Sequence, residues 1–239
     1  FCVIAGGDHE TSEQRLIDLA HPEAPPRLVA AREDGVQYSL ADRGDELFIL
    51  TNADDAIDFK IVTAPLGAPE RKNWRDLIPY RPGIYIIDLD LYAGHLVRLE
   101  RANALPAIVI RDLASNEEHA IAFDEAAYSL DTMGSYEFET TNLRFAYSSM
   151  TTPSEVYDYD MAKRTRTLRK RQEIPSGHNA SDYVTTRIMA KAQDGAEVPV
   201  SILYRHGLKL DGSSPLLLYG YGSYGMAMPA TLRANRLAL

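Results

Sequence analysis

The residues of this chain that could most readily take part in chemistry lie in a glycine- and tyrosine-rich segment near its C-terminal end. An apolar run over 215–219 leads into the string Gly-Tyr-Gly-Ser-Tyr-Gly over 220–225. The run predicts a buried strand of the parallel type, and the glycines allow a sharp turn beyond it. Because ligands of open α/β sheets bind beyond the carboxyl ends of the strands, the tyrosines would line such a site. From the spacing alone, a structural turn with packed aromatic rings is the simpler interpretation.

A serine hydrolase of the α/β type needs a nucleophile elbow, Gly-x-Ser-x-Gly, followed along the chain by an acid and a histidine. Ser223 lies in the glycine-rich string, but Tyr221 stands where the first glycine of the elbow is required. The residues after Gly225 contain neither an aspartate nor a histidine. The sequence therefore contains no Ser-Asp-His triad of the elbow type.

The composition gives little support for nucleic-acid binding, a metal site or a membrane span. The formal net charge of −9 argues against a nucleic-acid partner; it could steer cationic peptides, although solubility alone explains an acidic surface. A basic run over 163–171 could bind an acidic partner, but it also fits the solvated face of an outer hairpin. The six histidines show no metal-ligand spacing and Cys2 is the only cysteine, so we expect no metal or other cofactor. No apolar run approaches the roughly 20 residues of a membrane span, and a cytoplasmic, reducing compartment is expected.

Most of the chain carries an internal repeat. The tripeptide Asp-(Leu or Met)-Ala begins at Asp18, Asp112 and Asp160, which indicates a period of about 47 residues. A second marker, the start of a similar strand pattern, recurs at Phe1, Glu46, His95 and Asn142. Within each repeat, apolar and polar residues alternate with a period of two, as in half-buried antiparallel strands. We therefore predict a partial β-propeller with about four blades, 1–45, 46–94, 95–141 and 142–181.

The pattern changes after residue 181. Strand patterns over 183–192 and 198–205 flank Asp194-Gly195, a dipeptide typical of a hairpin turn. The apolar run 215–219 follows, and 230–239 places apolar residues on one face of a helix. A hairpin, a central strand and a helix are the opening elements of an α/β-hydrolase domain. We therefore predict a mainly β chain with two domains, propeller blades over 1–181 and the incomplete start of an α/β-hydrolase domain over 182–239.

Four long strings resemble the prolyl oligopeptidase family of serine peptidases: 143–153, 157–161, 198–205 and 218–225. Within the family the chain is similar to oligopeptidase B, the branch that cleaves short peptides after Arg or Lys. The resemblance implies a seven-bladed propeller that acts as a size filter, joined to a hydrolase domain that carries the Ser-Asp-His triad. We therefore expect this chain to be a fragment, with the triad outside it, that has no peptidase activity alone.

The resemblance also implies roles for two tyrosines. In the family, the second tyrosine of the Tyr-Gly-Tyr-Gly string donates its hydroxyl to the oxyanion hole, a contribution of roughly 3–4 kcal/mol; here it is Tyr221. The aromatic residue three positions later lines the pocket for the residue before the scissile bond; here it is Tyr224. A buried phenol bonded to backbone is the structural alternative for Tyr221. Relatives that prefer paired basic residues often carry two acidic residues just after this loop. Pro229 and Thr231 stand there instead, which leaves a preference for single basic residues.

Two other functions stay open at this point. One is a propeller-type binding module with a non-catalytic hydrolase remnant. The other is an exopeptidase of the same superfamily, against which the Tyr-Gly-Tyr-Gly-Ser-Tyr string argues. For the oligopeptidase, the expected partners are short basic peptides. An open arc of four blades would also expose strand edges, so we expect either a dimer formed through these edges or pairing with the rest of the protein.

Overall fold

The computed structural model describes residues 1–238, which form seventeen β-strands and four 3₁₀ turns. Sheet 1 contains β1 Cys2–Gly7, β2 Ser12–Ile17 and β3 Arg27–Ala30. Sheet 2 contains β4 Tyr38–Arg43, β5 Glu46–Thr51, β6 Lys60–Pro65 and β7 Arg75–Ile78. Sheet 3 contains β8 Ile84–Leu91, β9 His95–Ala102, β10 Leu105–Asp112 and β11 Glu118–Ala120. Sheet 4 contains β12 Tyr128–Met133, β13 Asn142–Ser149, β14 Glu155–Asp160 and β15 Thr165–Arg171, and sheet 5 is the hairpin β16 Tyr183–Lys191 and β17 Glu197–Arg205.

The 3₁₀ turns are Arg71–Asn73, Ala180–Asp182, Ser223–Gly225 and Ala234–Ala238. None of the helical elements in the described residues is long and apolar enough to cross a membrane. In sheets 2, 3 and 4, four strands follow one another in space in the order of the sequence. This is the strand order of a propeller blade, so the predicted mainly β fold is confirmed.

The repeat markers locate strands correctly, but the predicted blade boundaries are wrong by one strand. Glu46, His95 and Asn142 do begin strands β5, β9 and β13, yet each of these is the second strand of its sheet. The prediction therefore assigned β4, β8 and β12 to the preceding blade. The physical reason is burial: β5 and β9 have neighbours on both sides and carry almost continuous buried runs, whereas β4 is largely half-exposed. The run of buried residues therefore identifies the second strand of each sheet, which has a neighbour on both sides, and not the first strand, which lies at an edge.

The repeated aspartates close the turn after the third strand of a blade. Asp112 Oδ1 accepts hydrogen bonds from the backbone N–H groups of Ala114 and Ser115, at 2.9 and 2.7 Å. Asp160 Oδ1 accepts from Ala162 and Lys163 in the same way, at 3.1 and 2.9 Å. These are Asx turns, in which a carboxylate replaces a backbone acceptor. The repeat therefore has a local structural cause.

The chain divides into two compact units, of which the first comprises Phe1–Ala102, Val109–His119 and Glu137–Thr140, and the second the rest of the described chain. In the first unit, consecutive sheets pack through two apolar clusters. One joins sheets 1 and 2 and includes Leu16, Val29, Leu47 and Val62. The other joins sheet 2 to β8 and β9 and includes Phe48, Leu50, Ile61, Ile86 and Leu96. Face-to-face packing of successive sheets buries both faces of sheet 2.

Tyr38 ties the first two sheets together beside a bulge. The ladder between β2 and β3 shifts register between Gln14 and Arg15. At that point the Tyr38 hydroxyl accepts hydrogen bonds from the N–H groups of Gln14 and Ala30, at 2.8 and 3.1 Å, and donates to Ala30 O at 2.7 Å. Burial raises the pKa of Tyr38, so the hydroxyl stays protonated. One side-chain group thus satisfies three backbone groups.

A buried arginine organises the charged residues of the first unit. Arg98 on β9 is completely buried, and its guanidinium donates to Glu100 Oε1 at 2.8 Å. Its two terminal nitrogens donate to the two carboxylate oxygens of Glu118, each at 2.9 Å. Arg81 also pairs with Glu100, and Arg111 lies 3.7 Å from Glu118. Every carboxylate of this network therefore has at least two cationic partners.

Candidate functional site

The glycine- and tyrosine-rich segment does not form the predicted strand. Residues 215–222 have no regular secondary structure, and Leu216 and Leu218 expose 81% and 79% of their surface. The prediction of a buried strand over 215–219 is therefore wrong for this structure. The physical reason is the lack of a neighbour, because a strand needs a partner for its backbone groups and β16 and β17 pair only with each other among the described strands. The apolar run lies exposed on the surface.

Both predicted site tyrosines are accessible. Tyr221 exposes 51% of its surface and Tyr224 exposes 77%. Tyr224 lies in the 3₁₀ turn Ser223–Gly225 and adopts the left-handed backbone conformation, with φ of 58°. Gly225, which follows, also has positive φ, at 69°. Tyr224 and Gly225 are thus two successive residues in the left-handed region, and the Tyr224 ring is exposed. The structure does not bring the two tyrosines together with a nucleophile.

The C-terminal segment also departs from the predicted helix over 230–239. The structure has only the 3₁₀ turn Ala234–Ala238, and Leu239 lies outside the described residues. Isolated short helices are marginal unless an apolar face is packed, and Leu232 and Leu237 are only partly covered. The segment is held by two contacts: the N–H of Leu232 lies 3.4 Å from Ser148 Oγ, and the Arg236 guanidinium lies 4.3 Å from the centre of the Tyr219 ring.

The link between sheet 4 and the hairpin is ordered by a histidine that the sequence analysis did not single out. His178 Nε2 lies 2.6 Å from the carbonyl oxygen of Thr151, and the imidazole stacks on Tyr183 with ring centres 5.9 Å apart. Asn179 then caps the turn Ala180–Asp182 by accepting from Ser181 N at 3.3 Å. A groove of about 440 Å³ is lined by His178, Asn179, Tyr183 and Leu232, among others. Nothing local in the sequence indicates that His178 contacts a carbonyl 27 residues away.

The basic run forms an exposed strand, which agrees with its interpretation as the solvated face of an outer hairpin. All residues of β15, Thr165–Arg171, are exposed. Several of its charges are paired with acids of sheet 4: Arg169 with Asp158 at 3.2 Å and Arg171 with Glu155 at 2.6 Å. A strand edge rich in cations also resists pairing with another chain. Among residues 1–238, no group of three or more His, Cys, Asp or Glu side chains is placed to hold a metal ion.

Comparison with known proteins agrees with the sheet architecture. Residues 1–172 match the family described as prolyl oligopeptidase, N-terminal β-propeller domain. Dipeptidyl aminopeptidase BI of Pseudoxanthomonas mexicana is 38% identical over 230 residues, which are 96% of this chain and 31% of that protein. Protease 2 of Moraxella lacunata is 27% identical over 240 residues, which are all of this chain and 34% of that protein. The chain thus spans about one third of the length of these curated relatives.

Solved structures give the same result. Oligopeptidase B of Trypanosoma brucei, with covalently bound antipain, superposes with a TM-score of 0.89 at 30% identity, over 98% of this chain and 34% of that one. Oligopeptidase B of Leishmania major superposes equally well, at 29% identity over the same shares. The matched family covers well over half of the chain, and the blade-type sheets are those that its description names. The chain belongs to the prolyl oligopeptidase family of serine peptidases and contains blades of its N-terminal β-propeller.

Proposed function

We propose that the protein is a serine oligopeptidase of the oligopeptidase B type, which hydrolyses short peptides after arginine or lysine. The observation that carries this proposal is the likeness to two oligopeptidase B structures, which extends over 98% of the chain. The likeness includes the C-terminal segment with Tyr221 and Tyr224 as well as the sheets. A serine peptidase that admits only short peptides needs both a restricted entrance and a hydrolase domain.

In this proposal the two parts of the chain have different tasks. Residues 1–181 supply blades that exclude folded proteins, and residues 182–239 open an α/β-hydrolase domain. The sequence contains no Gly-x-Ser-x-Gly elbow, so the Ser-Asp-His triad would come from outside this chain. The chain alone would then bind but not hydrolyse peptides. Soluble, cytoplasmic action on short basic peptides completes the proposal, and dimerisation through exposed propeller edges stays a prediction.

Tyr221 offers a direct test of the hydrolase assignment. If its hydroxyl stabilises the oxyanion, Tyr221→Phe in the complete gene product should lower kcat on an arginine amide about 100- to 1,000-fold with little change in KM. The matched control is Tyr219→Phe, because Tyr219 lies in the same exposed segment and its ring contact with Arg236 survives the loss of the hydroxyl. Equal activities of the two variants on the amide would contradict the oxyanion role.

A dipeptide-releasing exopeptidase is the second candidate function. The observation that favours it is the 38% identity to a dipeptidyl aminopeptidase, which is higher than the identity to either oligopeptidase B structure. The two functions differ in what they require of the peptide amino terminus. An exopeptidase that removes dipeptides needs a free amino group at the second residue before the bond, whereas an oligopeptidase does not.

One pair of substrates separates the two functions. The complete gene product should be assayed with Ala-Arg-aminomethylcoumarin and with its N-acetylated form. Similar kcat/KM values support the oligopeptidase. Hydrolysis of the free peptide alone supports the exopeptidase. Hydrolysis of neither, combined with binding of arginine peptides by the 239-residue chain, supports the third possibility of a binding module.

A further inference from the structure

The second unit contains a pocket of about 250 Å³ that no assignment above uses. It lies where the loop between β11 and β12 meets the turn between β13 and β14 and the adjoining ends of β14 and β15. Its principal lining residues are Phe123, Glu125, Tyr147, Thr152, Tyr157 and Arg166. The pocket therefore combines carboxylate, hydroxyl and aromatic groups.

Glu125 is a carboxylate without a counter-ion. Its Oε1 accepts hydrogen bonds from the hydroxyls of Tyr147 and Thr152, at 2.9 and 2.5 Å, and its Oε2 accepts from Thr151 Oγ1 at 3.1 Å. All three donors are neutral, and no lysine, arginine or histidine forms an ion pair with Glu125 in the described chain. Since a carboxylate offers about four acceptor positions, one position is open on Oε2. The group is thus oriented but not neutralised.

The buried carboxylate of the pocket, Glu155, is already paired. Glu155 is 3% exposed and accepts from Arg171 Nε at 2.6 Å and from the Tyr157 hydroxyl at 2.5 Å. Its charge is therefore compensated inside the protein. With Asp124 also lining the pocket, three carboxylates face two arginines, so the local charge is negative. Glu125 is the member of this set that is fixed in place and unpaired.

The aromatic walls suit a cation. The rings of Phe123 and Tyr147 are stacked, with centres 4.9 Å apart and planes inclined by 7°. Arg166, whose guanidinium donates to Ala122 O at 3.0 Å, lies 5.1 Å from the centre of Phe123 and 5.5 Å from that of Tyr157. Two aromatic rings of this pocket, Phe123 and Tyr157, therefore already hold one guanidinium through its attraction to ring faces. Burial and the neighbouring Glu125 raise the pKa of Tyr147, so its hydroxyl stays protonated and keeps the carboxylate oriented.

We propose that this pocket is a binding site for an organic cation, a guanidinium or a primary ammonium group, with Glu125 as its counter-ion and the Phe123 and Tyr147 rings as its wall. The Thr151 carbonyl, on the turn that holds Glu125, is contacted by His178 of the link to the hairpin. The binding itself does not depend on the proposed function.

Binding can be measured on the 239-residue chain without any catalytic activity. N-acetyl-arginine amide presents the guanidinium alone, alanine amide presents an ammonium alone, and N-acetyl-citrulline amide is a neutral shape match of the first. Titration followed by isothermal calorimetry and by the ring resonances of Phe123 and Tyr147 should show binding of at least one cation and none of the citrulline compound. Binding of the arginine compound identifies a side chain as the ligand, and binding of alanine amide alone identifies a peptide amino terminus.

Glu125→Gln keeps the shape and hydrogen-bond acceptor of Glu125 but removes its charge, and should weaken binding about tenfold. Glu173→Gln is the matched control, because it removes the same charge from an exposed residue near the end of β15 and should leave affinity unchanged. Equal affinity for the arginine and citrulline compounds, or equal loss in the two variants, overturns the proposal. If Glu125→Gln does not fold, the test uses the ring resonances of Phe123 and Tyr147 in the unmodified chain. If neither resonance shifts when any of the cations is added, the proposed binding site is wrong.

Failure of this site and failure of the proposed function give different results. If the complete gene product is active as an oligopeptidase but the 239-residue chain binds no cation, only the proposed cation site is refuted. Cation binding in a protein that cleaves no peptide would refute the peptidase function and leave the pocket.

Discussion

Replacing Arg98 by methionine tests whether the buried charge network determines the stability of the first unit. Methionine retains the apolar stem of the arginine but none of its donors. Arg98 donates three charge-assisted hydrogen bonds from a completely buried position, one to Glu100 and two to Glu118. The substitution would leave Glu100, which is 6% exposed, with Arg81 as its cationic partner.

The loss in the free energy of unfolding depends on which cationic partners each carboxylate retains. Breaking a buried ion pair by removing one partner costs about 3–5 kcal/mol. Glu100 keeps Arg81, and Glu118 keeps Arg111 at 3.7 Å and is partly open to water. We therefore expect a loss of about 3 kcal/mol in the free energy of unfolding, at the lower end of that range. For a urea dependence of about 2–3 kcal/mol per molar, the midpoint would fall by about 1–1.5 M.

The assay is urea unfolding of the 239-residue chain, followed by circular dichroism. Arg144→Met is the matched control, because Arg144 forms the same two-point contact with Asp158, at 2.7 and 3.0 Å, but is exposed to solvent. We expect a much smaller shift for the control, since exposed ion pairs contribute little. Equal shifts for the two variants would refute the argument from burial, and an unchanged midpoint for Arg98→Met would refute the network itself.

Two further predictions concern the same unit. Tyr38→Phe removes the hydroxyl that satisfies two backbone N–H groups and one carbonyl. Urea unfolding should show a loss of about 3 kcal/mol in the free energy of unfolding. The control Tyr136→Phe changes a fully exposed ring and should cause no measurable loss. The Arg98 guanidinium lowers the pKa of Glu118 from its ordinary value of 4.5, so this pair stabilises the native state fully above about pH 4.5 and loses its effect as pH falls through the lowered pKa. Thermal melts between pH 6 and 3 should therefore show a steeper decline for the unmodified chain than for Arg98→Met, and parallel declines would count against the linkage.

The parts of the fold that could be predicted from the sequence are those whose signal is local and repeated. Central strands such as β5 and β9 are buried by neighbours on both sides, so their apolar runs start at the predicted residues. Outer strands have no such requirement: β15 is exposed along its whole length and carries no alternation that would assign it to a blade. Boundaries between blades depend on which strands pair, and pairing is a property of the tertiary structure.

The site residues also differ in whether their signal is local in the sequence or depends on the tertiary structure. The string around Tyr221 and Tyr224 could be recognised because it is contiguous. Glu125 could not, because its hydroxyl donors Thr151 and Thr152 lie 26 and 27 residues away and nothing in the sequence links them to this glutamate. An isolated glutamate in a loop is typical of a solvated surface residue. Only the structure shows that its charge is held in place and left unpaired.

The exposure of Tyr221 bears on whether this chain could catalyse by itself. An oxyanion-hole donor lowers a barrier because it is fixed before the reaction, so that no reorganisation is needed when charge develops. In this structure Tyr221 is half-exposed and follows a segment without strand pairing, so its hydroxyl lacks that preorganisation. A neighbouring strand that paired with 215–219 would supply the rigidity through backbone hydrogen bonds. We therefore expect amides of this segment to exchange rapidly with deuterium in the 239-residue chain and slowly in the complete gene product. Equally rapid exchange in both would mean that Tyr221 is never fixed, and the oxyanion assignment would then be wrong.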